Sequence, residues 1–159
     1  MAGRRLTLAA FAALLTACAA PAPFLADGAR LDLAPYAAAD QDPGDIEVIW
    51  GGMIVALRVG EEVSEIEVLA HPIDRRQRPL TRAPSQGRFV IRVPQRLARS
   101  DAPEGRYLTV RGRVVGRGEG SIGTSPYRYP VLAQARWALW KSGFQYDQPQ
   151  WSFGVGVAL

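Results

Sequence analysis

The sequence predicts an all-β protein built on a small antiparallel five-stranded barrel, and three observations lead there. Five segments alternate apolar and polar residues with the period of two that half-buried strands show. Turn-forming residues are plentiful, with Gly 16 and Pro 12, as a chain of many short strands requires. The first strand carries a glycine pair, and a long connector separates the third from the fourth, which is the layout of an oligonucleotide-binding-type (OB-like) barrel. A two-sheet sandwich is the alternative arrangement. At 159 residues, 48% hydrophobic and 21% charged, the chain has the size and composition of one ordinary domain with its own core.

The chain opens with a positive stretch, Met1 to Arg5, followed by an apolar run from Leu6 to Leu15, the order of a secretory signal. The run is rich in Ala, interrupted by Thr7 and Thr16 and stopped by Pro21 and Pro23. A membrane span needs about 20 strongly apolar residues, so a signal peptide over residues 1–17 is the reading. Leu15-Thr16-Ala17-Cys18 resembles a bacterial lipobox, at which the signal is cut before the cysteine. Cys18 would then carry S-diacylglycerol on its sulfur and an N-palmitoyl chain. It is the only cysteine, so acylation leaves no thiol for a disulfide, a redox couple or a metal.

Residues 18–44 are rich in Ala, Pro and Asp without a sustained period and are expected to form a lipidated tether. Tyr36, Leu31 and Leu33 are its candidates for docking on the domain. The barrel is expected over residues 45–140. Its first strand, Ile46 to Val59, contains Gly51-Gly52, which predicts a bulge or sharp bend where another backbone comes close. Ser64 to His71 alternates Ile66, Val68 and Ala70 against Glu65, Glu67 and Leu69, completing a hairpin. Pro72 to Gly87 reads as a loop.

Phe89, Ile91 and Val93 alternate with Arg88 and Arg92 in a third strand with a basic outer face. Pro94 to Gly105 is a connector with one helical turn around Leu97. The fourth strand, Tyr107 to Gly116, sets Leu108, Val110, Gly112 and Val114 against Thr109, Arg111 and Arg113. A Gly-rich turn then leads to a fifth strand, Tyr127 to Leu139. Residues 141–159 form a C-terminal tail, read either as an edge strand or as an aromatic segment at a membrane interface through Trp151 and Phe153.

Charge is segregated along the chain. From Cys18 to Asp74, eleven acids face two arginines; from Arg75 to Lys141, fifteen bases face three acids. Acidic strands pairing with basic neighbours in one sheet is the first explanation. The second is a basic face of Arg88, Arg92, Arg111 and Arg113 that receives an anionic glycan or lipid headgroup. With a pI near 9.7 an anionic partner fits, but an exported protein does not meet cytosolic nucleic acid, so no nucleic-acid partner is expected.

Motifs for catalysis fail on their surroundings. Gly118, Gly120 and Gly123 have the spacing G-x-G-x-x-G, yet a strand and not a helix follows, so no phosphate-binding helix start exists there. Ser121 lacks the first glycine of a nucleophile elbow. His71 is the only histidine, which excludes a multi-imidazole metal site; with Asp74 it forms a minor candidate for an envelope hydrolase. Glu61, Glu62, Glu65 and Glu67 read as a solvated or Arg-paired face, and Trp50, Tyr107, Tyr127 and Tyr129 as packing aromatics more than a stacking platform. No metal, cofactor or catalytic residue is expected.

The lipobox, VIWGGMIV, EIEVLAHPID, GRF at Gly87 to Phe89, GRYLTVRGRVVG and GSIG with YPVL follow one another in an order similar to the Slp family of outer-membrane lipoproteins, named for starvation induction. The resemblance extends to about Trp140. It implies a Gram-negative outer-membrane lipoprotein with Cys18 as the acylated residue and brings no catalytic residues to transfer. The function expected first is a non-enzymatic envelope structural or interaction module with a stress-related role, its partner an envelope protein or an anionic glycan. Ala19 instead of Asp after the cysteine resembles lipoproteins released to the outer membrane, with the domain on the periplasmic side.

Overall fold

The computed structural model describes residues 21–40 and 44–146. The signal peptide and Cys18, and the tail with Trp151 and Phe153, lie outside the described residues. Five strands, β1 (Ile46–Val59), β2 (Ser64–His71), β3 (Arg88–Val93), β4 (Tyr107–Ile122) and β5 (Ser125–Leu139), close into a barrel in the order β1-β2-β3-β5-β4. Four seams are antiparallel; β3 and β5 run parallel, with Val90 beside Val131 and Ile91 beside Leu132. A closed ring of five cannot alternate direction at every seam, so one parallel pair is a consequence of the strand count, and the fully antiparallel expectation is corrected on that point.

Alternation puts one set of side chains inside. Val48 and Ile54 of β1, Ile66 and Val68 of β2, Phe89 and Ile91 of β3, Leu108 and Val110 of β4 and Leu132 of β5 are completely buried in one cluster. The connector before β4 contains bends and no helix, and Leu97 and Ala102 from it join the core. Buried Ser64 anchors it by accepting a hydrogen bond from the Leu97 amide at 3.0 Å.

The glycine pair does admit a close backbone. A Cβ on Gly52 would lie 2.2 Å from the carbonyl oxygen of Leu69, and one on Gly51 would lie 2.6 Å from Ile73. The register break in β1 falls instead between Ile54 and Ala56, beyond the glycines.

Two regions depart from the sequence reading. The β4–β5 hairpin is longer than expected, pairing through to Ile122 and Ser125. Gly123 has a φ of 61° in the two-residue turn, as a turn with glycine first requires. Gly118 and Gly120 belong to the strand, where Tyr129 lies across them: a Cβ at Gly118 would meet its ring at 2.3 Å. On the β1 side, β4 is paired only up to Val114, so the hairpin from Gly116 onward reaches past the barrel wall.

The expected tether is, over residues 21–40, part of the folded body. Arg30 bridges Val48 in parallel fashion, Trp50 Nε1 donates to the Leu33 carbonyl at 2.6 Å, and Gln77 brackets Phe24 through both backbone groups. A short helix, α1 (Pro35–Asp40), buries Pro35, Ala38 and Ala39. Of the three docking candidates, Leu33 packs against the core, whereas Leu31 and Tyr36 are exposed; backbone hydrogen bonds and small side chains make the other contacts, which is why no apolar period announces them.

Candidate functional site

The four arginines of the candidate anion site come from β3 and β4, where alternation turns them outward. On one side, Arg92 stands opposite Glu65 in the β2–β3 register and their charged groups are 3.1 Å apart. Arg88 meets Glu67 at 2.6 Å, and the other oxygen of Glu67 takes Arg58 at 2.7 Å. On the other side, Arg113 meets Asp45 at 2.6 Å. Arg111 binds Glu47 at 2.9 Å and Asp27 at 2.7 Å, and donates to the carbonyls of Leu25 and Asp27.

The electrostatics follow from these bonds. Hydrogen bonding to Arg111 holds the carboxyls of Asp27 and Glu47 below the ordinary carboxylate range. Glu47 and Asp27 in return raise Arg111, and Asp45 raises Arg113. The four arginines therefore lie in two groups, each threaded with carboxylates, and the segregated charges of the sequence meet across strand seams.

The remaining candidates are dispersed. Nδ1 of His71 lies 3.3 Å from the Ala83 carbonyl and its ring leans on Tyr107. Asp74 spends its carboxylate on the amides of Arg76 and Arg78 and on the Arg78 side chain, shaping its own loop. Glu65 and Glu67 are in the ion pairs above, while Glu61 and Glu62 are exposed in the β1–β2 turn. Among the described residues no three metal-ligating side chains cluster.

The aromatics do not form one platform. Trp50 packs in the core 5.2 Å from Phe89, the Tyr127 hydroxyl accepts from the Arg88 amide at 2.8 Å, and Tyr129 covers its glycines. Tyr107 packs on Phe144, which stacks on Trp140.

Sequence reasoning missed the surroundings of that last cluster. Arg106 precedes β4 and Lys141 follows β5, and the pairing of Leu108 with Leu139 brings these strand ends together. Both line a cleft of about 160 Å³. Distance along the chain concealed the pair; the strand register is the signal that finds it.

Comparison with known proteins adds the identity of the whole. Residues 15–155 match the family described as "Outer membrane lipoprotein Slp family". An uncharacterized protein of Haemophilus influenzae is 30% identical over 141 residues, which span 85% of this chain and 75% of the relative. The uncharacterized lipoprotein YeaY of Escherichia coli is 31% identical over 113 residues, 68% of this chain and 58% of the relative. No solved structure matches. On the span of the family match and the coverage of its relatives, the chain belongs to the Slp family of outer membrane lipoproteins.

Proposed function

We propose that this lipoprotein is a non-enzymatic envelope module, moored by an acylated Cys18 with its barrel on the periplasmic side, that works by contact with other envelope proteins. The observation carrying this reading is the filled barrel: Ile54, Ile66, Phe89, Ile91, Leu108 and Leu132 occupy its interior with no exposure. A packed interior leaves outer surfaces as the working parts. The β4–β5 hairpin, unpaired with β1 beyond Val114 and with Val115 and Ile122 exposed, is the surface we assign to such contact. A stress-related setting, which the family resemblance implies, fits such a module.

Mooring has a simple energetic basis. Each buried methylene contributes about 0.8 kcal/mol and a single chain binds only marginally, so diacylglycerol plus palmitoyl gives firm attachment. Growth with labelled palmitate tests the reading. Label on the wild-type protein and its loss, with release from the membrane fraction, in Cys18→Ser support it; a Cys18→Ser protein that takes up label and stays membrane-bound refutes it.

The ion pairs supply carboxylates to Arg88, Arg92, Arg111 and Arg113 and so favour charge pairing within the sheet over an anionic glycan receptor at these four residues.

A further inference from the structure

Unlike Arg88, Arg92, Arg111 and Arg113, Arg106 and Lys141 have no carboxylate partner among the described residues; Arg117, Arg128 and Arg136 of β4 and β5 share that feature, but only Arg106 and Lys141 line one cleft together. Arg106 Nη2 donates to the carbonyl of Trp140 at 2.6 Å, which fixes the guanidinium beside the start of the C-terminal turn. Its Nε is buried and has no hydrogen-bond partner among the described residues. A donor withheld from water is normally satisfied, and this one belongs to a permanent cation.

Lys141 lines the same cleft together with Ser142, Gly143 and Phe144. The cleft, at about 160 Å³, has room for several waters at roughly 30 Å³ each, and therefore for a compact oxyanion. An aromatic wall stands next to it, with Phe144 5.3 Å from Tyr107 and 5.6 Å from Trp140 between ring centroids.

We propose that this cleft binds a phosphate group, with Arg106 and Lys141 as its cationic contacts. Two cations without a carboxylate partner among the described residues suit a group with several charged oxygens: the guanidinium offers directed N–H groups and the ammonium a mobile point charge. The aromatic wall suits the organic part of a phosphorylated molecule. At the outer membrane that chemistry is met in lipid headgroups and in free phosphate. The inference is independent of the acylation of Cys18.

Titration of the full-length protein in a neutral maltoside detergent, followed by ³¹P line broadening and calorimetry, tests it with two probes, inorganic phosphate and dihexanoylphosphatidylglycerol. Binding of at least one probe, weakened about tenfold or more in Arg106→Gln and in Lys141→Gln as loss of a charge-assisted contact predicts, supports the site. Equal affinity for both probes identifies free phosphate as sufficient, whereas binding of the lipid alone identifies a headgroup held with its neighbouring apolar atoms. Arg106→Gln also loses its anchor on Trp140, so the exposed Lys141→Gln, which keeps the fold, carries the test by itself. Failure of both probes to bind, or binding that Lys141→Gln leaves unchanged, overturns the proposal.

Discussion

Arg111 of β4 grips Glu47 of β1 with two nitrogens, Nε and Nη2, each 2.9 Å from a carboxylate oxygen, although 64 positions separate the two residues. The same guanidinium holds Asp27 and the Leu25 carbonyl. One side chain thus fastens a barrel seam and the segment leading into the barrel.

Arg111→Ala is expected to loosen the leading segment without opening the barrel, whose core lies on the other face of β4. Limited proteolysis should cut near exposed Leu25 severalfold faster than in the wild type, by the logic of local opening, while the β-sheet circular dichroism is retained. Equal cutting rates would show that backbone bonds alone secure the segment.

Acid should act through the same residues. Asp27 and Glu47 ionise in the fold below their ordinary values of 3.8 and 4.5 because of Arg111, and Asp32 is lowered to about 2 by Arg30. Carboxylates lowered in the fold contribute stability that is complete above their unfolded values. It is lost as pH falls through the folded values. Asp27 and Asp32 are largely exposed, so solvent screening leaves Glu47 the main contributor; denaturant midpoints should fall modestly between about pH 5 and pH 2, and Arg111→Ala should flatten that fall. An unchanged slope in the variant would assign the acid response to other groups.

Gly52→Ala should destabilise strongly, since its Cβ would meet the Leu69 carbonyl oxygen at 2.2 Å, whereas a Cβ at Gly116 meets nothing within 4 Å among the described residues. Overpacking against a paired backbone is expected to cost about 3 kcal/mol; Gly116→Ala should lie within about 0.5 kcal/mol of the wild type. Urea denaturation of the two variants measures the difference, and similar midpoints would contradict the close approach.

Phe89→Ala should cost about 3–5 kcal/mol, the range for deleting a buried aromatic ring, because Phe89 is fully buried against Trp50. Val115→Thr, at a position 52% exposed, should change the denaturation midpoint little. The contrast tests the filled interior.

Strands whose alternation is carried by large side chains were legible in the sequence. β1 and β2 run from Ile46 to Val59 and from Ser64 to His71, as the pattern of Ile66, Val68 and Ala70 indicates. The outer half of β4 was hidden because Gly118 and Gly120 remove the side chains that reveal a period, and Tyr129, ten residues from Glu119 whose carbonyl it bonds, fills their place. The docking of residues 21–40 was legible only at Leu33, which packs against the core; the rest was hidden because Arg30 and Phe24 act through their backbones. Charge segregation was visible, but the partner of each arginine depends on register: Arg111 finds Glu47 only once β1 and β4 are aligned. Arg106 and Lys141 carried no local signal, as they adjoin only through the paired ends of β4 and β5.

The mooring of the body at Cys18 is the claim on which the functional account depends, and intact-mass spectrometry of the protein extracted from native membranes measures it most directly. The account predicts a mature chain beginning at Cys18 and heavier than its residues by a diacylglycerol and one acyl group. A chain that still carries residues 1–17, or a Cys18 whose mass shows an unmodified thiol, would contradict it.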